Sequence, residues 1–348
     1  MRSEKNIRIQ SHQLENPEFN EPEKLVAWMG AIQAQDYGMS KWAIGVRLKS
    51  ATVKDVEAAL DEGKILRTHV MRPTWHLVAA EDIRWMSQLS KERIKSSSAS
   101  RDRSLEITEK LYSRCNRLIG KMLENNNHLT RQELSLGLAK AGVAVDTSRM
   151  VHFMMRAEIE GIVCSGIDKG NKQTYALIDE RVPPVKALHK EEALAKLATK
   201  YFRSHSPASL QDFAWWSDLS VSDAKQAVQL IQAELLTVRF RESSLFVHQS
   251  YNKKLTSPDA FHFLPAFDEY IIAYRDRTNI LEEDYQQKAF SKNGIFHPVI
   301  MANGRISGTW QKTVNKNRIT IKADFFETGE PNDERMRIAE DRYKMFYS

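Results

Sequence analysis

Apolar and polar positions fall into a pattern that recurs three times along the chain. Each instance is an apolar-periodic helix, a short turn, then two β-rich runs parted by polar residues, which reads as a hairpin. In the first, Val53 to Leu60 precedes Asp61-Glu62-Gly63, with Ile65 to Val70 and Thr74 to Val78 as the strands. In the second, Arg149 to Ile159 precedes Glu160-Gly161, and Ile162 to Cys164 and Thr174 to Ile178 flank Asp168-Lys169-Gly170-Asn171. In the third, Ser222 to Ile231 leads to Leu235 to Phe240 and Leu245 to His248, around Arg241-Glu242-Ser243-Ser244.

Further helices precede each of these. Arg114 to Leu123 reads as one, and Thr130-Arg131-Gln132-Glu133 is a capping box that opens the next. Asp146 and Thr147 can cap the third helix of that unit; Ser209 to Phe213 opens a second helix in the last unit, where Ser220 or Ser222 caps the third. Helix, helix, helix, hairpin is the winged-helix order, and the third helix and the wing are what such modules usually offer to DNA. The irregular spacing predicts tandem modules rather than a solenoid. The polar run Ser96 to Ser104 predicts a mobile loop between the first two units, and Val182-Pro183-Pro184 separates the second from the third. After Tyr251 the pattern changes: Asn303-Gly304 between apolar runs suits a tight type I′ hairpin, Ile319 to Phe325 alternates as a strand, and Pro331 to Tyr347 forms a charged helix. The expectation is an α+β chain, predominantly helical, with winged helices over 1–95, 105–182 and 188–250 and a small α/β region over 255–348.

Composition narrows the class. A chain of 348 residues, 28% charged and 42% hydrophobic, describes an ordinary soluble globular protein. Two cysteines, Cys115 and Cys164, point to neither a disulfide framework nor a cysteine-based metal site, and His297 alone makes none. No metal or cofactor is expected. Met1-Arg-Ser-Glu-Lys carries no apolar signal region and no later segment approaches a membrane span, so a cytoplasmic protein with no membrane partner is expected. The net charge of +6 permits a polyanionic partner without requiring one.

The distribution of charge argues against a simple repressor. A helix that reads a groove should present Arg, Lys, Asn or Gln. The first unit's third helix and turn instead carry Asp55, Glu57, Asp61 and Glu62 against Lys54, and the third unit's helix offers Lys225 with Gln226 and Gln229. The second has Arg149, His152 and Arg156, offset by Glu158 and Glu160. Basic residues concentrate between Lys91 and Lys121, nine against four acidic, Lys91, Arg93 and Lys95 among them. Either this is a solvated charged face or it tracks a nucleic-acid backbone.

One short stretch stands apart. Leu25, Val26, Met29 and Ile32 recur at helical spacing, so about 22 to 32 reads as an amphipathic helix ending in Ile32-Gln33-Ala34-Gln35-Asp36. On a continued helix Gln33 and Gln35 would diverge by about 200°. If the chain extends after Ile32, the period becomes two, both amides face one side and Ala34 turns inward. Such a pair can hold a water or read polar atoms, and it does not titrate. Read alone, it is also what two solvated glutamines at a helix end look like.

Three passages together resemble the winged-helix DNA glycosylase family typified by an enzyme that unhooks azinomycin interstrand crosslinks. They are Gln33-Ala34-Gln35-Asp36 with Trp42-Ala43 and Arg47; Thr68 to Val78; and Leu264 to Tyr270 with Arg275-Asp276-Arg277 and Gly304 to Trp310. The likeness spans roughly residues 8 to 312. It implies tandem winged helices bent around a DNA channel, double-stranded DNA as partner with no obligate protein partner, and Gln33 and Gln35 as the catalytic Gln–apolar–Gln motif. A sister branch carries Gln–apolar–Asp; here Gln35 holds that place and Asp36 follows it.

Two amides suffice for one kind of chemistry. An N7-alkylated guanine already bears positive charge and can leave without a general acid, so what remains is to stabilise an oxocarbenium-like sugar and aim a water at C1′. A neutral pair provides no strong base, which favours cationic lesions over normal bases. Beside the motif, Arg67, His69, Arg72 and His76 cluster on the first wing and can grip phosphates, with structural hydrogen bonds as the competing use of each. Period two puts Arg67 with His69 on one face, and His76 with Thr74 opposite Trp75 and Leu77. Arg149 and Arg156 are the candidates on the second unit. Asp268 is read as anchoring its loop to Arg275 or Arg277, a catalytic carboxylate being the other option, and Trp215-Trp216 as core. The expected function is a repair glycosylase for N7-alkylated purines, interstrand crosslinks within its reach; the rival is a non-catalytic winged-helix regulator.

Overall fold

A computed structural model describes residues 4–240, 243–251, 260–316, 318–327 and 333–348. Helices α1 (Glu4–Ser11) and α2 (Pro22–Met29) lead into a two-residue strand β1 (Ile32–Gln33), then α3 (Tyr37–Gly45), α4 (Val53–Asp61) and the hairpin β2 (Ile65–His69) and β3 (Trp75–Ala79). A long α5 (Ala80–Ser104) follows. The order then repeats: α6 (Glu109–Leu123), β4 (Leu129–Thr130), α7 (Arg131–Lys140), α8 (Thr147–Ile159), β5 (Val163–Ser165) and β6 (Thr174–Leu177). After a short α9 (Ile178–Arg181) come α10 (Lys190–His205), α11 (Leu210–Ser217), α12 (Val221–Leu230), β7 (Leu235–Phe240) and β8 (Ser243–His248). The last part holds β9 (Phe261–Leu264), α13 (Glu269–Ile272), α14 (Gln286–Ala289), β10 (Val299–Ala302), β11 (Arg305–Asn315), β12 (Arg318–Phe325) and α15 (Asp333–Phe346). The turn residues Arg241 and Glu242, and Pro331-Asn332 at the start of the terminal helix, lie outside the described residues.

Local chemistry explains the boundaries. Thr130 and Glu133 exchange the two bonds of a capping box, at 3.2 Å to the Glu133 N–H and 2.6 Å from the Thr130 N–H. Asp146 accepts from the Arg149 N–H at 3.0 Å, and Ser220, not Ser222, caps α12 through the Asp223 N–H at 3.0 Å. Asn303 and Gly304 adopt φ of 50° and 79°, as a type I′ turn requires, and join β10 to β11. The run Ser96 to Ser104 is not a loop but the end of the 25-residue α5. It contains no Gly or Pro, Ser97 and Ser98 turn their hydroxyls back to the Ile94 carbonyl at 2.9 Å, and Ile94 is buried. No helix among the described residues is long and apolar enough to cross a membrane.

The sheets repeat as well. The first has the order β1-β3-β2 and the second β4-β6-β5, so in each a short strand from between the helices joins the hairpin. In the third unit β7 and β8 pair and Ala208 bridges Phe246. The fourth sheet runs β12-β11-β10-β9. The β2–β3 hairpin is apolar on both faces. Ile65 and Leu77 join a core that includes Leu25, Leu60, Leu264, Trp310 and Phe346, whereas Leu66 and Val78 join a second with Met86, Leu197, Phe202 and Trp216. A third core lies wholly within residues 105–177.

The first of these cores is locked by polar bonds from the motif residues. Arg47, fully buried, grips Asp268 with two bonds of 2.9 and 2.7 Å. Trp42 and Trp310 donate their indole N–H groups to the carbonyls of Phe263 and Leu264, at 2.6 and 2.7 Å. The expected anchoring of Asp268 to Arg275 or Arg277 is thereby corrected: Arg277 donates to the Ile271 carbonyl at 2.9 Å, and Asp268 serves Arg47 and the N–H of Tyr270.

Candidate active site at the Gln-Ala-Gln strand

Gly30, at φ 80°, ends α2 and turns the chain into an extended course. Ile32 then pairs with Leu77 and Gln33 with His76, both antiparallel. The Ala34 N–H donates to the Trp75 carbonyl at 2.8 Å, which makes Gln33 and His76 a non-hydrogen-bonded pair, the kind whose side chains approach closest. The Gln33 N–H points away from β3, and the Glu269 carboxylate takes it at 2.7 Å. The Ala34 carbonyl accepts two bonds from Arg67, at 3.2 and 3.0 Å. The Gln35 N–H donates to the Gln33 side-chain oxygen at 2.7 Å, and Asp36 caps α3 through the Met39 N–H at 2.9 Å. The backbone of this motif is pinned at each step.

The two amides are therefore not equivalent. Gln33 is 4% exposed and one lone pair of its oxygen is spent on Gln35, whereas Gln35 presents its side chain to solvent. No hydrogen bond occupies the Gln35 amide or the Gln33 NH2 among the described residues. Ala34 is fully buried, as an extended course demands.

Glu269 lies directly behind the strand and was not singled out by the sequence. It is 1% exposed, and its second oxygen accepts the Trp216 indole N–H at 3.0 Å. Burial pushes the carboxyl up, but the neighbouring His205 and the Gln33 N–H outweigh it and hold the group below the ordinary carboxylate value. At 3.6 Å the His205 Nε2 is too distant for a direct bond, so the two N–H groups are the anchors. An ionised carboxylate with both oxygens engaged is a fixed charge rather than a base. His76 is fully buried; burial, then the charge of Arg72, push it down to about 4, and its Nδ1 bonds the Thr74 carbonyl at 3.0 Å while Nε2 has no partner among the described residues.

The basic residues expected to hold DNA mostly have partners within the protein. Arg67 adds Gln173 at 2.8 Å and lies over Trp75 at 4.1 Å, so it buttresses the motif. His69 is paired through Nδ1 with Glu158, which also takes its backbone N–H at 3.1 Å. Lys91 and Lys95 both meet Glu160, the latter at 2.6 Å, and Arg93 forks onto Asp218 at 2.8 and 3.2 Å. Arg149 caps the end of α5 at the Leu105 carbonyl, at 3.0 and 2.8 Å. Arg156 is 5% exposed, paired with Glu109 and stacked on Tyr112 at 4.1 Å, which turns it into the protein rather than toward a phosphate. Arg72 differs from all of these: its side chain has neither a hydrogen bond nor an ion pair among the described residues, and its Nε and Nη2 are buried.

Trp215 also departs from expectation. Trp216 is core at 0% exposure, but Trp215 is 42% exposed, held by its N–H to the Ile272 carbonyl at 3.0 Å. Neighbours on a helix point about 100° apart, so one apolar stripe rarely holds both, and that much was legible in the sequence. What converges here is an exposed amide, a second amide on a pinned strand, a neutral imidazole beside it and a buried negative charge behind. That set can orient water and stabilise a developing cation without exchanging a proton itself.

The sequence profile of the AlkZ-like DNA glycosylases matches residues 26–344. An interstrand DNA cross-link repair glycosylase of Streptomyces sahachiroi is 21% identical over 302 residues, covering 82% of this chain and 81% of that protein. The solved structure of Streptomyces sahachiroi DNA glycosylase AlkZ superposes with a TM-score of 0.83 at 17% identity, covering 99% of this chain and 97% of that one. At that identity the superposition speaks for the fold.

Proposed function

The chain belongs to the AlkZ-like DNA glycosylase family, and on that premise we propose that it hydrolyses the N-glycosidic bond of cationic N7-alkylated purines in double-stranded DNA, interstrand crosslinks included. The three helix-and-hairpin units are, in this reading, winged helices whose third helices serve the scaffold. That of the second unit, α8, buries Phe153, Met154, Met155, Arg156 and Ala157 in succession, which leaves little of it to enter a groove.

The observation that carries the reading is the pinned strand: Gln33 and Gln35 with free amide positions, held from behind by Glu269. In the reaction the C1′–N9 bond breaks with its electron pair passing to the base, which discharges the base's positive charge. Water adds its oxygen at C1′ and sheds a proton to solvent. The Gln35 amide and the Gln33 NH2 orient that water, and the Glu269 charge favours the cationic sugar. The reading is tested by single-turnover release of N7-methylguanine from a methylated duplex. Release that is lost in Gln35→Ala supports it; tight binding with no release by the wild type would favour a regulator.

A further inference from the structure

Arg72 lies on the turn of the β2–β3 hairpin, just after Met71 at φ 59°, with its guanidinium largely buried. Protein interiors rarely leave such a group without a partner, because an unpaired buried charge costs far more than a paired one. The carboxylates within electrostatic reach are engaged elsewhere: Asp218 by Arg93 at 2.8 Å, and Glu269 by Gln33 and Trp216 at 2.7 and 3.0 Å. A second guanidinium repeats the situation. Arg277 donates Nε to the Ile271 carbonyl at 2.9 Å and Nη1 to the Arg275 carbonyl at 3.4 Å, and lies over Phe290 and Phe296 at 5.1 and 5.2 Å, yet its Nη2 is buried and unpartnered and it forms no ion pair among the described residues. The two like charges sense each other, since burial and then Arg72 push Arg277 down to about 10.

Both lie near Trp215, with the Arg72 and Arg277 guanidinium carbons 5.8 and 5.7 Å from its ring and the indole 42% exposed. Two cations with unspent donors beside one exposed aromatic face match a ligand that joins an anion to a flat ring. A nucleotide within a DNA strand has both. Arg72 also adjoins His76, the cross-strand partner of Gln33, so this place borders the amide strand.

We propose that Arg72 and Arg277, both beside Trp215, form a seat for one phosphodiester of the lesion-bearing strand, with the Trp215 ring against the adjoining nucleotide. The proposal rests on the reading of the Gln33–Gln35 strand as a DNA site. It explains why Arg72 has no internal partner while the neighbouring basic residues have theirs.

The test uses the full chain and a labelled duplex carrying a tetrahydrofuran abasic analogue, with methylphosphonate replacing one phosphate at a time along that strand. Fluorescence anisotropy should find a linkage whose neutralisation weakens wild-type binding about tenfold. Arg72→Met should lose about tenfold on the unmodified duplex and be indifferent at that same linkage, and Arg277→Met should point to it too. The free Arg72→Met protein should melt at the wild-type temperature or above, since it sheds an unpaired buried charge. Additive losses at every linkage, or a lowered Tm, would overturn the seat and leave Arg72 a structural residue. Release of N7-methylguanine is scored separately: release without coupling removes the seat alone, and coupling without release removes the glycosylase reading alone.

Discussion

The Gln33 N–H and the Glu269 carboxylate meet at 2.7 Å across 236 positions of sequence. This bond joins the strand that carries the amides to the short helix that closes the far end of the same core. It also places a charge where none could be read from the motif itself.

Glu269→Gln should therefore slow base release about tenfold to a hundredfold while leaving duplex affinity nearly unchanged. The glutamine loses the charge and turns an NH2 toward one of two N–H groups that need an acceptor. Stability should fall by about 1–3 kcal/mol. Single-turnover kinetics beside urea unfolding checks both, and an unaltered rate would demote Glu269 to a packing group.

Gln33→Ala and Gln35→Ala should each lower the single-turnover rate with little loss of DNA affinity, and the double variant should cost less than the sum. Their stabilities should differ. Gln33→Ala deprives the Gln35 N–H of its acceptor and costs about 1 kcal/mol, whereas Gln35→Ala touches no internal bond. Full activity in the double variant would end the catalytic assignment.

Base release should be nearly flat from about pH 6 to 9, because neither amide titrates in that range. Stability behaves otherwise. His76 is lowered from 6.5 to about 4 in the fold, so the unfolded chain binds the proton first. Its contribution is intact above about pH 6.5 and drains away as pH falls toward 4, to the extent of about 3 kcal/mol. Unfolding free energies of wild type and His76→Gln across that window should converge as pH falls. A rate limb abolished by Asp36→Asn would instead give Asp36 the role of base.

Arg47→Met should cost about 3–5 kcal/mol by leaving Asp268 buried and unpaired, with the pH–rate profile unmoved. Asp268→Asn should behave alike in thermal denaturation. A pH limb that vanishes in Asp268→Asn would make that carboxylate part of the chemistry.

Much of this architecture was legible because local rules carry it. Thr130 with Glu133 and Asn303 with Gly304 announce a helix start and a hairpin, and both stand where the spacing put them. The change to extended backbone after Ile32 followed from asking where both amides could face one side. Two-residue strands such as Leu129–Thr130 left no trace, since two positions define no period. The serine run misled because polarity was weighed above the absence of Gly and Pro. Pairings such as Arg47 with Asp268, 221 positions apart, depend on how separate segments pack and have no spacing signature.

The core shared by Leu25, Leu60, Leu264, Trp310 and Phe346 has a consequence for biosynthesis. While the ribosome is still making residues before 260, one face of the β2–β3 hairpin and of β1 lacks its cover, and Glu269 does not yet exist to hold Gln33. The unit over residues 105–177 has its own core and can fold as it emerges. The amide strand must wait. Until the residues from 260 onward arrive, the Gln33–Gln35 strand therefore stays unorganised, and their packing against the segment from Leu25 to Leu77 sets that strand and its Glu269 anchor in place together.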